Sequence, residues 1–356
     1  MATTGYSVNN ALTNKLWAKK LNVEVLKDAY ISKFIGKGAD SLIQYREDTN
    51  KDKGDRIRNG LRMQLTGSGT LEDNTLEGSE EQLITYSDDL IINQLRHAVR
   101  SDGRMSEQRI LFDLRTETKS GLKDWWTDRL DTIFFNQACG YTVQTDLRYT
   151  GMNSVTAPDS NHIMRGGNQS NDQSITSTNS FNLSFVDYCV ERAKTLTPAI
   201  RPIKTEMGDY YVMFIHTYQA TDLRTSTSAG QWLDIQKAAM TGGKVKDNPI
   251  FTGALGVYNN TILHESARVT QGVNSSTGAA VTTVRRAVFC GAQAACIAFG
   301  GEDGPDTMSW TEETFDYGNQ LGVATGAIFG LKKSVYNSTD FATIVASTYA
   351  AQHNPT

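Results

Sequence analysis

Five histidines, His97, His162, His216, His264 and His353, are the first residues to test for acid–base or metal chemistry, and their spacing supports neither. A helical zinc site needs two histidines four residues apart with a glutamate after the first. His264 and Glu265 begin that pattern, but the fourth position on is Arg268. His216 sits in the apolar run DYYVMFIHTY, where a hydrogen-bonded core residue is the more common outcome. In DTNKDKGDR, Asp48, Asn50 and Asp52 have calcium-loop spacing. The glycine then comes one residue late, at Gly54, and Asn59 stands where a bidentate glutamate is required. With Lys51, Lys53, Arg56 and Arg58 interleaved, the string reads as a solvated turn.

Other catalytic patterns fare no better. The glycine clusters at 36–38, 67–69 and 242–243 lack the Lys-Ser/Thr pair that follows a phosphate loop. Adjacent carboxylates occur at Asp88 and Asp89 and at Glu312 and Glu313, with no further motif to make either pair a glycosidase site. No Gly-x-Ser-x-Gly elbow is present. The cysteines Cys139, Cys189, Cys290 and Cys296 lie in or beside apolar runs, without zinc or disulfide spacing, and read as buried reduced thiols. The expectation is no catalytic residue, no cofactor and no metal.

Composition narrows the class further. The chain has 356 residues and a formal charge of −4, from 35 basic and 39 acidic residues, so nothing draws it as a whole to a polyanion. More than half of the charged residues fall before about position 150, in mixed sign, which suits solvated or partner-facing surfaces. No signal-peptide pattern opens the sequence and no apolar run is long enough for a membrane span, so folding in a cytoplasm without membrane contact is expected.

The elements that would position side chains come in a distinctive order. Residues 10–36 place Leu12, Leu16, Val23, Leu26, Tyr30 and Phe34 at helical intervals among lysines, as an amphipathic arm. Then the period changes to two: Ile57, Leu61, Met63 and Leu65 share one parity, and a second strand-like run covers 82–95. Between them lies a polar, acidic, glycine-rich tip, so the pair predicts a long hairpin that is marginal unless something outside covers its apolar face. From Ser106, a potential cap, a helical stripe runs to about Cys139 with a weak point at Gly121. Loops are expected over 140–180, a helix capped near Ser184, a strand over 209–218 and a helix near 232–240. Central strands are expected over 281–299 and 322–345. The fold class is α+β.

This order of arm, hairpin, long helix and α+β body is similar to the Hong Kong 97-type fold of tailed-phage major capsid proteins. Five strings resemble one branch, the podoviruses with a large virion RNA polymerase. They are LRMQLTGSGTLEDNTLEGSEE (61–81), LRHAVRSDGRMSEQR (95–109), YYVMFIHTYQATDLR (210–224), NPIFTGALGVYNNTILHE (248–265) and EETFDYGNQLGVATGAIFGLKKSVYN (312–337). The resemblance implies an N-arm at 1–38, an extended loop at 39–104 and a peripheral domain with a spine helix at 105–200. An axial domain with part of the peripheral one would follow at 201–310, and a C-terminal return to the peripheral sheet at 311–356.

The same resemblance implies a structural protein that self-assembles into hexamers and pentamers of an icosahedral shell enclosing phage double-stranded DNA. Hairpin contacts between subunits would come from Ile57, Leu61, Met63 and Leu65, and N-arm contacts from Leu12, Leu16, Val23, Tyr30 and Phe34. Portal, scaffolding and decoration proteins are further partners in this reading, with non-specific contact to packaged DNA and assembly in the host cytoplasm. An encapsulin-type bacterial compartment shell and a phage carbohydrate-active enzyme are the alternatives.

Overall fold

The computed structural model describes residues 30–46, 54–109, 113–205, 208–226, 254–300 and 309–353. Two sheets organise them. The first centres on Gln320–Lys333, which pairs antiparallel with Asn93–Arg100 along one edge and with Ser309–Phe315 and Ala295–Gly300 along the other. Ile43–Arg46 adds in parallel to Ala295–Gly300, and Ile35–Gly36 adds to Ile43–Arg46. The second sheet runs Ile163–Arg165, Thr343–Tyr349, Ala280–Cys290, Gly208–Ile215, Thr261–Glu265 and Ala254–Tyr258. Its central strands are near-continuous apolar runs because both of their faces are covered.

The long helix Leu114–Ala138 joins the two sheets. It starts at Asp113, whose carboxylate accepts from the N–H groups of Arg115 and Thr116 at 3.3 Å each. Ser106, the cap expected from the sequence, lies instead inside a separate short helix, Arg104–Arg109, and Asp113 takes the capping role. The helix passes through Gly121 and ends at Ala138 with Cys139 as its C-cap, as the stripe predicted. Its 25 residues span roughly 37 Å. Trp126 meets Phe329 of the first sheet edge to face at 5.8 Å, while Phe134 and Phe135 reach Phe214 of the second sheet at 5.6 and 5.5 Å. One rod therefore fixes the angle between the two layers.

Three other expectations shift in detail. The run 82–95 divides into Thr85–Ile91, which closes the hairpin, and Asn93–Arg100, which belongs to the first sheet. The helix Leu183–Thr195 is capped by Asn182, not Ser184, since only a residue outside the first turn can accept the Phe185 N–H, here at 3.1 Å. The strand expected over 209–218 stops at Ile215, and His216 begins the helix Thr217–Thr225. The helix expected near 232–240 lies outside the described residues.

His216 caps that helix by accepting the Tyr218 N–H on Nδ1 at 3.1 Å, which requires a neutral ring. Burial, aided by the Arg285 charge, lowers its pKa from 6.5 to about 4. The unfolded chain therefore takes up a proton near pH 6.5 that the folded chain refuses until about pH 4. Stability from this group is complete above pH 6.5 and is lost as pH falls toward 4, about 2 kcal/mol in all for so partly polar a site. The His216→Asn variant keeps a capping oxygen without the titration. Thermal melts across this range should show a shallower acid-side decline for it than for the wild type, and parallel curves would refute the assignment.

Candidate assembly surface

The hairpin pairs Arg56–Arg62 with Thr85–Ile91, in a register that sets Ile57 opposite Leu90 and Leu61 opposite Tyr86. Its root is built into the body. Ile57 is buried with Leu90, Ile92, Cys296 and Ala298, and Asn59 Nδ2 donates to Cys296 Sγ at 3.6 Å. Asp88 pairs with the Lys332 ammonium and accepts the Val335 N–H at 3.4 Å. Asn153 clamps the end of the second strand, accepting from Ile91 N and donating to Ile91 O, both at 3.0 Å. Gly330 has no room for a side chain, since a Cβ there would stand 2.1 Å from the Ile91 oxygen. The expected apolar face is thus split: Ile57 is covered by its own chain and is not an uncovered contact residue, because the root lies flat on the first sheet.

Beyond the root, coverage falls away. Leu61 and Met63 are half-buried and line a cavity of about 190 Å³ with Tyr86, Pro198, Tyr336 and Phe341. The last rung is Met63 N–H to Ile84 O at 3.0 Å. From there the tip is held by Glu81, whose carboxylate accepts from Thr66 N and Gly67 N at 2.7 Å each. These bonds hold the Glu81 carboxyl below its ordinary pKa, so it stays charged. Leu65, Leu71, Leu76, Leu83 and Ile84 are all more than half exposed. Over 63–84 the tip carries Glu72, Asp73, Glu77, Glu80 and Glu81 and no basic residue. A fixed loop offering five bare apolar side chains within an acidic rim has the make-up of an interaction site.

Of the arm residues, Leu12, Leu16 and Val23 lie outside the described residues. Phe34 is buried in its own chain, with its ring 5.2 Å from both Phe214 and His264. Tyr30 is half-buried beside it, and its N–H and that of Ile31 donate to the buried Asp131 carboxylate at 3.4 and 3.1 Å. Within its own chain the aromatic pocket of the second sheet takes both rings, so Tyr30 and Phe34 anchor the start of the described chain.

A second exposed region had no counterpart in the sequence reading. Arg96, Ala98, Arg100, Gly322, Ala324, Gly326, Thr311 and Glu313 line an open trough of about 340 Å³ on the outer face of the first sheet. The opposite face packs on the long helix, where His97 stacks on Trp125 at 4.6 Å and the buried Glu312 binds Arg115 at 2.7 Å. At the end of the trough the Arg100 guanidinium lies 4.2 Å over the Phe315 ring, next to a fully exposed Tyr317. The signal was the strict alternation of small residues in LGVATGA, which marks one open face.

Among the described residues several groups that could do chemistry sit against neighbouring side chains. His162 pairs with Asp159 at 2.7 Å, His264 sits in the aromatic pocket with Tyr30 and Phe34, and His353 bonds Asp222 at 2.8 Å. All four cysteines are free and buried, and burial raises each thiol's pKa, away from nucleophilic use. Among the described residues no group of three His, Cys, Asp or Glu side chains could hold a metal, and no helix is long and apolar enough to cross a membrane. Glu312 binds Arg115, and Asp88 and Asp89 bind Lys332 and Arg58.

Comparison with known proteins agrees with an architecture of this kind. The family model described as phage capsid protein matches residues 5–352. The major capsid protein of Pseudomonas phage KPP25 is 28% identical over 370 residues, covering 94% of this chain and 95% of its own. Among solved structures, the capsid of Ralstonia phage GP4 superposes over 100% of both chains with a TM-score of 0.80 at 34% identity. The capsid of cyanophage Pam1 matches 99% of this chain and 100% of its own with a TM-score of 0.71 at 18% identity.

Proposed function

The chain belongs to the phage capsid protein family, and from that premise we propose how it builds a shell: the exposed hairpin tip closes over a neighbouring copy, and the arm adds a second strap. It is a structural protein of a phage capsid, not an enzyme, and its partner is itself. Hexamers and pentamers in an icosahedral arrangement are the assembly this proposal entails, with Leu61, Met63 and Leu65 among the hairpin contacts. Leu12, Leu16 and Val23 would act on the arm. The division proposed is an N-arm to residue 38, an extended loop to 104, a peripheral domain with the spine helix to 200, an axial domain with part of the peripheral one to 310 and a C-terminal return to the peripheral sheet to 356. The five strings that resemble podoviruses with a large virion RNA polymerase support placing the chain in that branch. Assembly in the host cytoplasm, non-specific contact with packaged double-stranded DNA, and engagement of portal, scaffolding and decoration proteins complete the proposal.

The observation that carries it is the contrast along one hairpin between a root locked by buried contacts and a tip with five bare apolar residues. A tip so ordered and so uncovered gains most by burial against another subunit, in an interface of about 2,000–5,000 Å² for permanent assemblies. Negative-stain electron microscopy of the expressed protein tests this directly. Closed particles are expected. A compact chain that forms no particles at any concentration, alone or with co-expressed phage proteins, would overturn the proposal.

A further inference from the structure

Where the chain leaves the first sheet for the second, the short ladder of Val335–Tyr336 with Thr339–Asp340 brings Lys333 and Asp340 together. Their side chains are sealed, 0% and 2% exposed, with Lys333 Nζ 2.7 Å from Asp340 Oδ1. Lys333 Nζ also donates to Thr156 O at 3.2 Å, while Asp340 Oδ2 is buried with no hydrogen-bond partner. The backbone N–H of Asp340 donates to Asp159 Oδ2 at 2.9 Å, and Asp159 is held in turn by His162. The Lys332–Asp88 pair next door differs, for its side chains keep 18% and 12% of their surface in solvent.

Removing both ions of a pair from water costs several kcal/mol for each, which contact alone repays only when every donor and lone pair is matched. Here one carboxylate oxygen is unmatched. Burial raises the Asp340 carboxyl above its ordinary range, against the pull of the Lys333 charge. A proton passed from ammonium to carboxylate removes both charges and leaves an amine in contact with a carboxylic acid. Groups held this way react as if at effective concentrations on the order of 10⁵–10⁸ M.

We infer that Lys333 and Asp340 join to each other through an amide between Nζ and Cγ, an intrachain isopeptide link. After the proton has crossed, the Nζ lone pair attacks Cγ and the Nζ–Cγ bond forms. Nζ then gives one proton to the departing hydroxyl, the Cγ–O bond breaks, and one water leaves. Ammonium and carboxylate become amide and water, with no oxidant, reductant or other reactant. The link closes the turn from 333 to 340 in one chain and joins no subunits, so it is independent of the hairpin proposal.

Mass spectrometry of the denatured wild-type protein, from soluble and assembled fractions, tests the link. The bonded chain is one water lighter than its sequence. No Lys or Arg follows Lys333, so trypsin acting on an unbonded chain yields C-terminal peptides that begin at Lys333 and at Ser334. In the bonded chain the Ser334 peptide is missing, and fragmentation gives no ions from within Lys333–Asp340. A chain of full mass in both fractions overturns the inference. So does a one-water loss that leaves the Ser334 peptide in place, since a succinimide at Asp340 would do that. The Lys333→Met variant should regain full mass, and continued loss of one water from it would also refute the link.

Discussion

The Asp172→Ala variant should unfold in urea with a loss of roughly 3–5 kcal/mol, the scale at which a buried charge is left without its partner. Asp172 is 1% exposed and ties four segments together. Its carboxylate accepts from Arg165 Nε at 2.9 Å, from Arg286 Nε at 2.8 Å and from Val273 N at 3.0 Å. Arg286 continues inward to the carbonyls of Cys139 and Gly140, just past the end of the long helix. Removing the carboxylate strands the Arg286 guanidinium, itself 5% exposed, against two carbonyl oxygens. Burial alone would raise the Asp172 carboxyl, but the Arg286 charge, the Val273 N–H and Arg165 together hold it below the usual carboxylate range. A depressed carboxylate stabilises above its unfolded pKa, near 3.9, and that part is lost as pH falls through the folded value. The wild type should therefore lose in acid what the variant has already lost at neutral pH. A double variant with Arg286→Met should recover part of the loss, because an apolar pair of similar volume avoids the desolvation cost. A loss below about 1 kcal/mol for Asp172→Ala alone would show that water or a shifted side chain replaces the carboxylate.

The long helix was legible because Leu122, Trp125, Trp126, Leu130, Ile133 and Phe134 recur at three- and four-residue intervals through its second half, a periodic signal that burial on two sheets reinforces. Its start was not. Asp113 and Ser106 are both good caps, and only the break between two helices, a tertiary matter, chooses Asp113. The strand ending at Ile215 illustrates a second limit. An apolar run such as VMFIHTY carries no period that separates strand from helix, and the turn at His216 depends on its ring accepting the Tyr218 N–H.

The candidate surface divides along the same line. Alternation revealed which hairpin residues share a face, and the acidic tip stood out by composition. Whether a shared face is covered depends on what lies beneath it. Ile57 meets Cys296 and Ala298, more than two hundred positions away, and Phe34 meets Phe214 and His264. Pairings over such separations leave no trace in local spacing, so both residues looked like free contact points.

Replacing Leu65, Leu71 and Leu76 together by Asp should leave a folded, soluble chain and abolish shell formation. All three are more than half exposed, and none belongs to the buried clusters of the two sheets or the hairpin root, so their loss removes almost no internal packing. Surface substitutions of this kind usually change stability by no more than about 0.5 kcal/mol. In a shell the same side chains would be buried, where three new carboxylates without partners each cost several kcal/mol. Repeated at every subunit, that penalty exceeds any modest contact elsewhere. Ile57→Asp supplies the contrast, since it places a charge in the root cluster and should lower the stability of the isolated chain as well. Sedimentation and urea melts of both variants separate the two cases. If the triple variant still sediments as closed particles, the tip is not what holds neighbours together. If it melts far below the wild type, the three leucines support the fold of the isolated chain and are not free contact residues.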